Sequence, residues 1–149
     1  MTGNLLLDTN VLVYAADPAA AEKQRRSVET MDRLARSGLG SLSTQVLGEF
    51  FRVATQKLRK PLSPAEAHRQ VSRLIEAWPV FPVTPLIVLE ATRGVRDFGL
   101  ASWDAQLWAT ARLNQVSVVL SEDFQDGGLI EGVRFRNPFS PSFDVAALL

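Results

Sequence analysis

Five carboxylates carry the chemistry this chain can do, because each sits among apolar neighbours or closes a strand. Asp8 follows Leu5, Leu6 and Leu7, and the apolar pattern resumes at Val11, Leu12 and Val13. A continuous apolar run of that kind marks a strand covered on both faces. An unpaired charge at its end would cost several kcal/mol, so Asp8 needs a cation or dense hydrogen bonding, unless it serves only to cap the following helix through Thr9 and Asn10. Glu49 lies at the rim of an apolar stripe, with Val46 three positions before it and Val53 four after. Asp104 shares a helical face with Leu107, Trp108 and Ala111, so that helix turns a carboxylate inward. Glu122, Asp123 and Asp126 come directly after the apolar run ending at Ser121, where Gly127 and Gly128 permit a tight loop. Asp8, Glu49, Asp104 and Asp123, with Asp126 nearby, can all reach one edge of a sheet. Carboxylates that close together repel, and without a cation their protonation shifts. Oxygen-only ligands suit Mg²⁺ or Mn²⁺. The chemistry such a site supports is in-line hydrolysis of a phosphodiester.

Composition narrows the field to these acids. The chain has no cysteine and one histidine, His68, which removes disulfides, thiolate zinc sites and cysteine nucleophiles and argues against a serine triad or a multi-histidine metal site. Sixteen Lys and Arg balance sixteen Asp and Glu; if five acids converge on one site, the basic residues elsewhere outnumber the remaining acids by five. A mildly basic surface around an acidic pocket fits a polyanionic substrate handled with metal ions. The N-terminus lacks a basic segment followed by an uninterrupted apolar core, and the uncharged run Trp78 to Leu89 is broken by Pro79, Pro82 and Pro85. Neither a signal peptide nor a membrane span is expected, and the protein is expected in the cytoplasm.

The elements that must hold the acids alternate short strands with longer helices. A strand is predicted near Asn4 to Thr9, then a helical turn over Val11 to Ala16 and a helix over Ala20 to Ser37 that stops at Gly38. A weak strand at Leu39 to Leu42 leads to Ser43 or Thr44 as cap of a helix running to about Leu58. Ser63, Pro64 and Glu66 form a capping box opening a helix to about Trp78. Val80 to Val83 reads as an edge strand, Thr84 and Pro85 open a helix ending at Gly99, and Ser102 is expected to cap a helix to about Asn114. Ser117 to Ser121 is a buried strand and Val133 to Arg136 a last one. This alternation predicts one α/β domain over residues 1–149, a central, mostly parallel sheet flanked by helices.

The segments LLLDTNVLVYA, QVLGEFFRV, SWDAQLWATA and VVLSEDFQDG resemble, in order, the four acidic motifs of PIN-domain ribonucleases, especially VapC-type toxins of toxin–antitoxin pairs. The likeness spans nearly the whole chain. It implies a PIN-like three-layer sandwich, a metal-dependent endoribonuclease activity, and Mg²⁺ or Mn²⁺ held by Asp8, Glu49, Asp104 and Asp123, with Asp126 an additional contributor. In the same resemblance Asn10 and Ser121 orient carboxylates or water. It also implies an RNA substrate, a cognate antitoxin that covers the apolar early helices and directs a basic side chain into the acidic pocket, and a homodimer.

Other residues have plainer expectations. Arg52 and Lys57 follow Glu49 closely and could contact RNA phosphates, or simply end a solvated helix. His68 is expected at the surface, Trp103 and Trp108 in the core or an interface rather than as base-stacking platforms, and Glu122 in solvent. Two rival functions are a haloacid-dehalogenase-like phosphatase and a non-catalytic PIN-like binding module. The first meets Asn10 where its second aspartate belongs and leaves Glu49 without a role; the intact acid set argues against the second.

Overall fold

The computed structural model describes residues 5–149. Six strands form one sheet in the order β3-β2-β1-β4-β6-β5. They are β1 (Leu5–Leu7), β2 (Gly40–Ser43), β3 (Val80–Phe81), β4 (Val118–Leu120), β5 (Leu129–Ile130) and β6 (Val133–Arg136). Every pairing is parallel except β5 with β6. The helices are α1 (Thr9–Ala15), α2 (Ala21–Ser37), α3 (Thr44–Gln56), α4 (Pro64–Ala77), α5 (Pro85–Phe98) and α6 (Ser102–Leu113), followed by a 3-10 turn at Val145–Leu148. The expected sandwich is therefore what forms. The expected start of the first strand at Asn4 lies outside the described residues.

β1 is the centre of the sheet because Leu5, Leu6 and Leu7 are all essentially inaccessible, covered on both faces. The chain steps outward from β1 through β2 to β3, then crosses back to place β4 on the other side of β1. Right-handed crossovers put α1 to α4 over one face and α5 and α6 over the other. The reversal opens a crevice at the carboxyl ends of β1 and β4, the usual ligand position in an open α/β sheet.

Local chemistry sets most boundaries. α2 ends at Gly38, whose φ of 73° is left-handed. Ser43 caps α3 by accepting from the Val46 amide, and Ser63 caps α4 by accepting from Glu66 N–H, with Pro64 in its first turn. α3 stops at Gln56, short of Leu58. α6 departs from expectation: Ala101 holds the cap position with no side-chain hydrogen bond, and Ser102 is already in the first turn. The small β5–β6 hairpin is closed by Glu131 and Gly132, both at positive φ, a twist that matches the flanking strands. Trp108, fully buried, locks this end of the molecule: its Nε1 donates to the Ile130 carbonyl at 3.2 Å and its ring meets Phe98 edge-on at 5.6 Å. Gly94 on α5 lets the Trp108 ring approach, since a Cβ there would lie 2.8 Å from it.

Candidate metal centre

Asp8 stands at the carboxyl end of β1, where it both caps a helix and is densely hydrogen-bonded. It is the N-cap of α1, one oxygen accepting from the Thr9 amide at 2.7 Å. Its other oxygen accepts from Ser121 Oγ at 2.6 Å and from Asn10 Nδ2 at 3.4 Å. With only 7% of its surface exposed, Asp8 has its pKa pushed up to about 7. Burial is the main cause and the charges of Asp123 and Asp104 add to it, against the lowering effect of the Ser121 and Thr9 hydrogen bonds.

Two more acids converge on it. Asp104, in the first turn of α6, is half-buried and its pKa is raised by burial and then by the charges of Asp123 and Glu49. Asp123 follows β4, one of its oxygens accepting from Asn10 Nδ2 at 3.3 Å. Asp8, Asp104 and Asp123 each offer an oxygen within 4.8 Å of the others. At that separation an ionised pair repels by about 3 kcal/mol for an effective dielectric near 20, less where solvent reaches Asp123. Ser121, fully buried, binds the trio together: it donates to Asp8, accepts from Asn10 at 3.2 Å and accepts from the Asp123 amide at 3.0 Å. Asn10 turns its amide nitrogen to Asp8, Ser121 and Asp123, and its Oδ1 is buried with no partner among the described residues. Three converging carboxylate oxygens, one of them on the buried Asp8, fit a hydrated hard cation such as Mg²⁺ or Mn²⁺.

Glu49 stands at the edge of the trio. It is half-buried on α3, with Oε2 accepting from Thr9 Oγ1 at 2.6 Å and Oε1 from Gln45 Nε2 at 3.1 Å, and its charge reaches Asp104. Thr9, which the sequence marked only as part of a helix cap, thus fixes a carboxylate forty residues away. Asp126 is not brought to the trio. One of its oxygens accepts from the Asn137 amide at 2.9 Å and from Arg136 Nε at 3.3 Å, so the turn at Gly127 aims it along β6 instead. Glu122 is not simply solvated: it accepts from Lys23 Nζ and Tyr14 Oη, both at 2.7 Å, and ties the loop after β4 to α1 and α2. Arg52 lines a groove that begins at Glu49, whereas Lys57 caps the far end of α3. His68 is exposed on α4, as expected.

Residues 5–125, which include every acid of the trio, match the PIN domain. The chain belongs to the PIN-domain family. The PIN fold is shared with solved structures at low identity. DNA-bound VapBC from Salmonella typhimurium superposes with a TM-score of 0.67 at 17% identity, covering 93% of this chain and 99% of that one. VapC20 from Mycobacterium tuberculosis, a sarcin-ricin-loop-cleaving toxin, gives 0.62 at 21% identity, covering 87% and 98%. A toxin–antitoxin complex from Klebsiella pneumoniae gives 0.64 at 15%, covering 91% and 98%. No curated protein sequence matches significantly. Among the described residues, no helix of this PIN domain is long and apolar enough to cross a membrane.

Proposed function

We propose that this PIN domain is a Mg²⁺- or Mn²⁺-dependent endoribonuclease and the toxin of a toxin–antitoxin pair. The observation that carries the reading is the trio Asp8, Asp104 and Asp123, which offer three carboxylate oxygens within 4.8 Å of one another. These three side chains would hold the ion, with Glu49 as a fourth carboxylate at the rim. The chemistry supplied by such an ion is activation of a water molecule and neutralisation of charge on the phosphodiester. The chain's own groups do the positioning: Ser121 and Asn10 hold Asp8 and Asp123, and Thr9 with Gln45 holds Glu49. Arg52, without an ion pair among the described residues, supplies a positive charge for RNA phosphate beside Glu49. Lys57, at the far end of α3, is a second phosphate contact in this reading. A phosphoryl-enzyme route through Asp8 meets Asn10 where its second aspartate belongs and leaves Glu49 without a role.

The partner reading rests on the VapBC and toxin–antitoxin complexes that share the fold. An apolar pocket of about 290 Å³, lined by Leu12, Met31, Phe50, Leu74 and Trp78, opens between the early helices and suits the apolar segment of an antitoxin. A homodimer and a cytoplasmic site of action complete the proposal. The test is incubation of purified protein with structured and single-stranded RNA, with analysis of product ends. Water attack leaves no 2′,3′-cyclic phosphate, and cleavage should require Mg²⁺ or Mn²⁺. Cyclic ends, or full activity in EDTA, would refute the metal role. In cells, wild-type protein alone should arrest growth and Asp8→Asn should not; indifference to both would refute the toxin role.

A further inference from the structure

Trp103 lies outside the core, one of the two settings expected for it. It is neither core nor covered: 67% of its surface is exposed, whereas the other two tryptophans, Trp78 and Trp108, are buried. It lines a groove of about 530 Å³ together with Thr44, Gln45, Glu49, Arg52 and Gln106, so the groove runs from the rim of the acidic site to an exposed aromatic. A large exposed aromatic beside a catalytic centre and an unpaired arginine is the composition of a nucleotide-binding platform.

The amides in this groove have orientations fixed by a relay. Gln45 Nε2 donates to Glu49 Oε1 and to the Trp103 carbonyl, both at 3.1 Å, and both partners can only accept. Gln45 must therefore present Oε1 to Gln106, whose Nε2 donates to it at 2.9 Å. Gln106 keeps its own Oε1 and its second N–H without partners among the described residues, one acceptor and one donor on a preset amide. That pairing matches the hydrogen-bonding edge of a nucleobase.

We propose that this groove is a nucleobase subsite. A single-stranded RNA substrate places one unstacked base on the Trp103 ring with its edge against Gln106, while Arg52 takes the adjoining phosphate. This rests on the ribonuclease reading for its substrate, but the groove can be tested without cleavage. The relay also couples the two sites, because the Gln45 amide that sets Gln106 also holds Glu49.

The probes are short single-stranded RNA pentamers of each base and an abasic pentamer carrying the same phosphates, each with a fluorescent label at its end, titrated in Ca²⁺ while the anisotropy of the label and, in the wild type, tryptophan fluorescence are followed. Trp103 dominates the solvent-accessible signal. Base-containing pentamers should quench it and bind roughly tenfold or more tighter than the abasic one. Trp103→Ala should lose that advantage, Trp103→Phe should keep most of it, and both should retain the wild-type Mn²⁺-induced shift in Tm. Arg52→Ala should weaken all pentamers, abasic included, and lower the salt dependence by about one charge. Gln106→Leu should flatten the ranking among bases. Equal binding of abasic and base-containing pentamers, or wild-type affinity in Trp103→Ala, overturns the subsite, as does absence of RNA binding. Metal-dependent cleavage measured in parallel separates the readings: cleavage without base-dependent binding removes the subsite alone, and base-dependent binding without cleavage removes the ribonuclease alone.

Discussion

Replacing Asp8 by asparagine should make the metal-free protein more stable at neutral and alkaline pH, the reverse of the usual cost of altering a buried polar residue. The Asp8 pKa rises from 3.8 in the unfolded chain to about 7 in the folded one. Between those values the folded state holds a proton that the unfolded state has lost, so Asp8 contributes a stability that falls as pH climbs and is fully lost above about 7. Three units correspond to about 4 kcal/mol, an upper figure. Asparagine keeps the acceptor for the Thr9 amide but must turn an NH₂ toward Ser121 Oγ, whose hydroxyl has to rotate, and toward Asn10 Nδ2, at a cost of about 1–2 kcal/mol. The net gain at pH 8 in EDTA is then roughly 2–3 kcal/mol, a rise in Tm of about 5–10 °C for a chain of this size. At pH 5, where Asp8 is protonated, the two proteins should melt within a degree or two of each other. The difference between their melting curves isolates Asp8 from other titrating groups, including Asp104, whose raised pKa acts in the same direction. Thermal melts at pH 5, 6.5 and 8 in EDTA are the assay. A deficit in Asp8→Asn that is the same at all three values would refute the reasoning and make Asp8 a structural cap only.

Adding Mn²⁺ at a hundred times its Kd should stabilise the wild type by about 2.7 kcal/mol, and Asp123→Asn should lose most of that shift while Asp126→Asn keeps it, because Asp126 is engaged with Arg136 and Asn137. Equal losses in the two variants would place Asp126 in the metal site. Thr9→Val removes the hydroxyl that holds Glu49 and should lower RNA cleavage about 10–100-fold while leaving the Mn²⁺ melting shift nearly intact. An unchanged rate would mean that Glu49 needs no orientation. Gly94→Ala should destabilise the fold by about 1–2 kcal/mol despite its better helix propensity, since the new methyl meets the buried Trp108 ring. Urea denaturation measures it, and a stabilised variant would show that the ring can shift.

The parts of the site legible in the sequence are those set by local pattern. Three leucines before Asp8 identify a strand covered on both faces, and the spacing from Asp104 to Leu107, Trp108 and Ala111 turns that acid inward. The same helical spacing carried a signal about Trp103 that went unused: one residue before Asp104, it lies about 100° away from the inward face and so faces out. What stayed hidden depends on partners distant in the chain. Glu122 looks solvated until α2 brings Lys23 to it, and Asp126 looks like a ligand until the hairpin at Glu131 and Gly132 returns Arg136 beside it. That hairpin had a Glu-Gly pair between short apolar runs as its only local mark. Ser102 failed as a cap because Ala101 already has the extended backbone that precedes a helix, leaving the serine inside the first turn.

The most direct measurement is single-turnover cleavage of a single-stranded RNA as Mn²⁺ is titrated from zero, in the wild type and in Asp104→Asn. The carboxylate trio predicts no cleavage in EDTA, a saturable rise with Mn²⁺ for the wild type, and a loss of at least 100-fold in the variant. Equal rates in the two proteins, or a wild-type rate indifferent to Mn²⁺, would contradict the claim that Asp8, Asp104 and Asp123 form a catalytic metal centre.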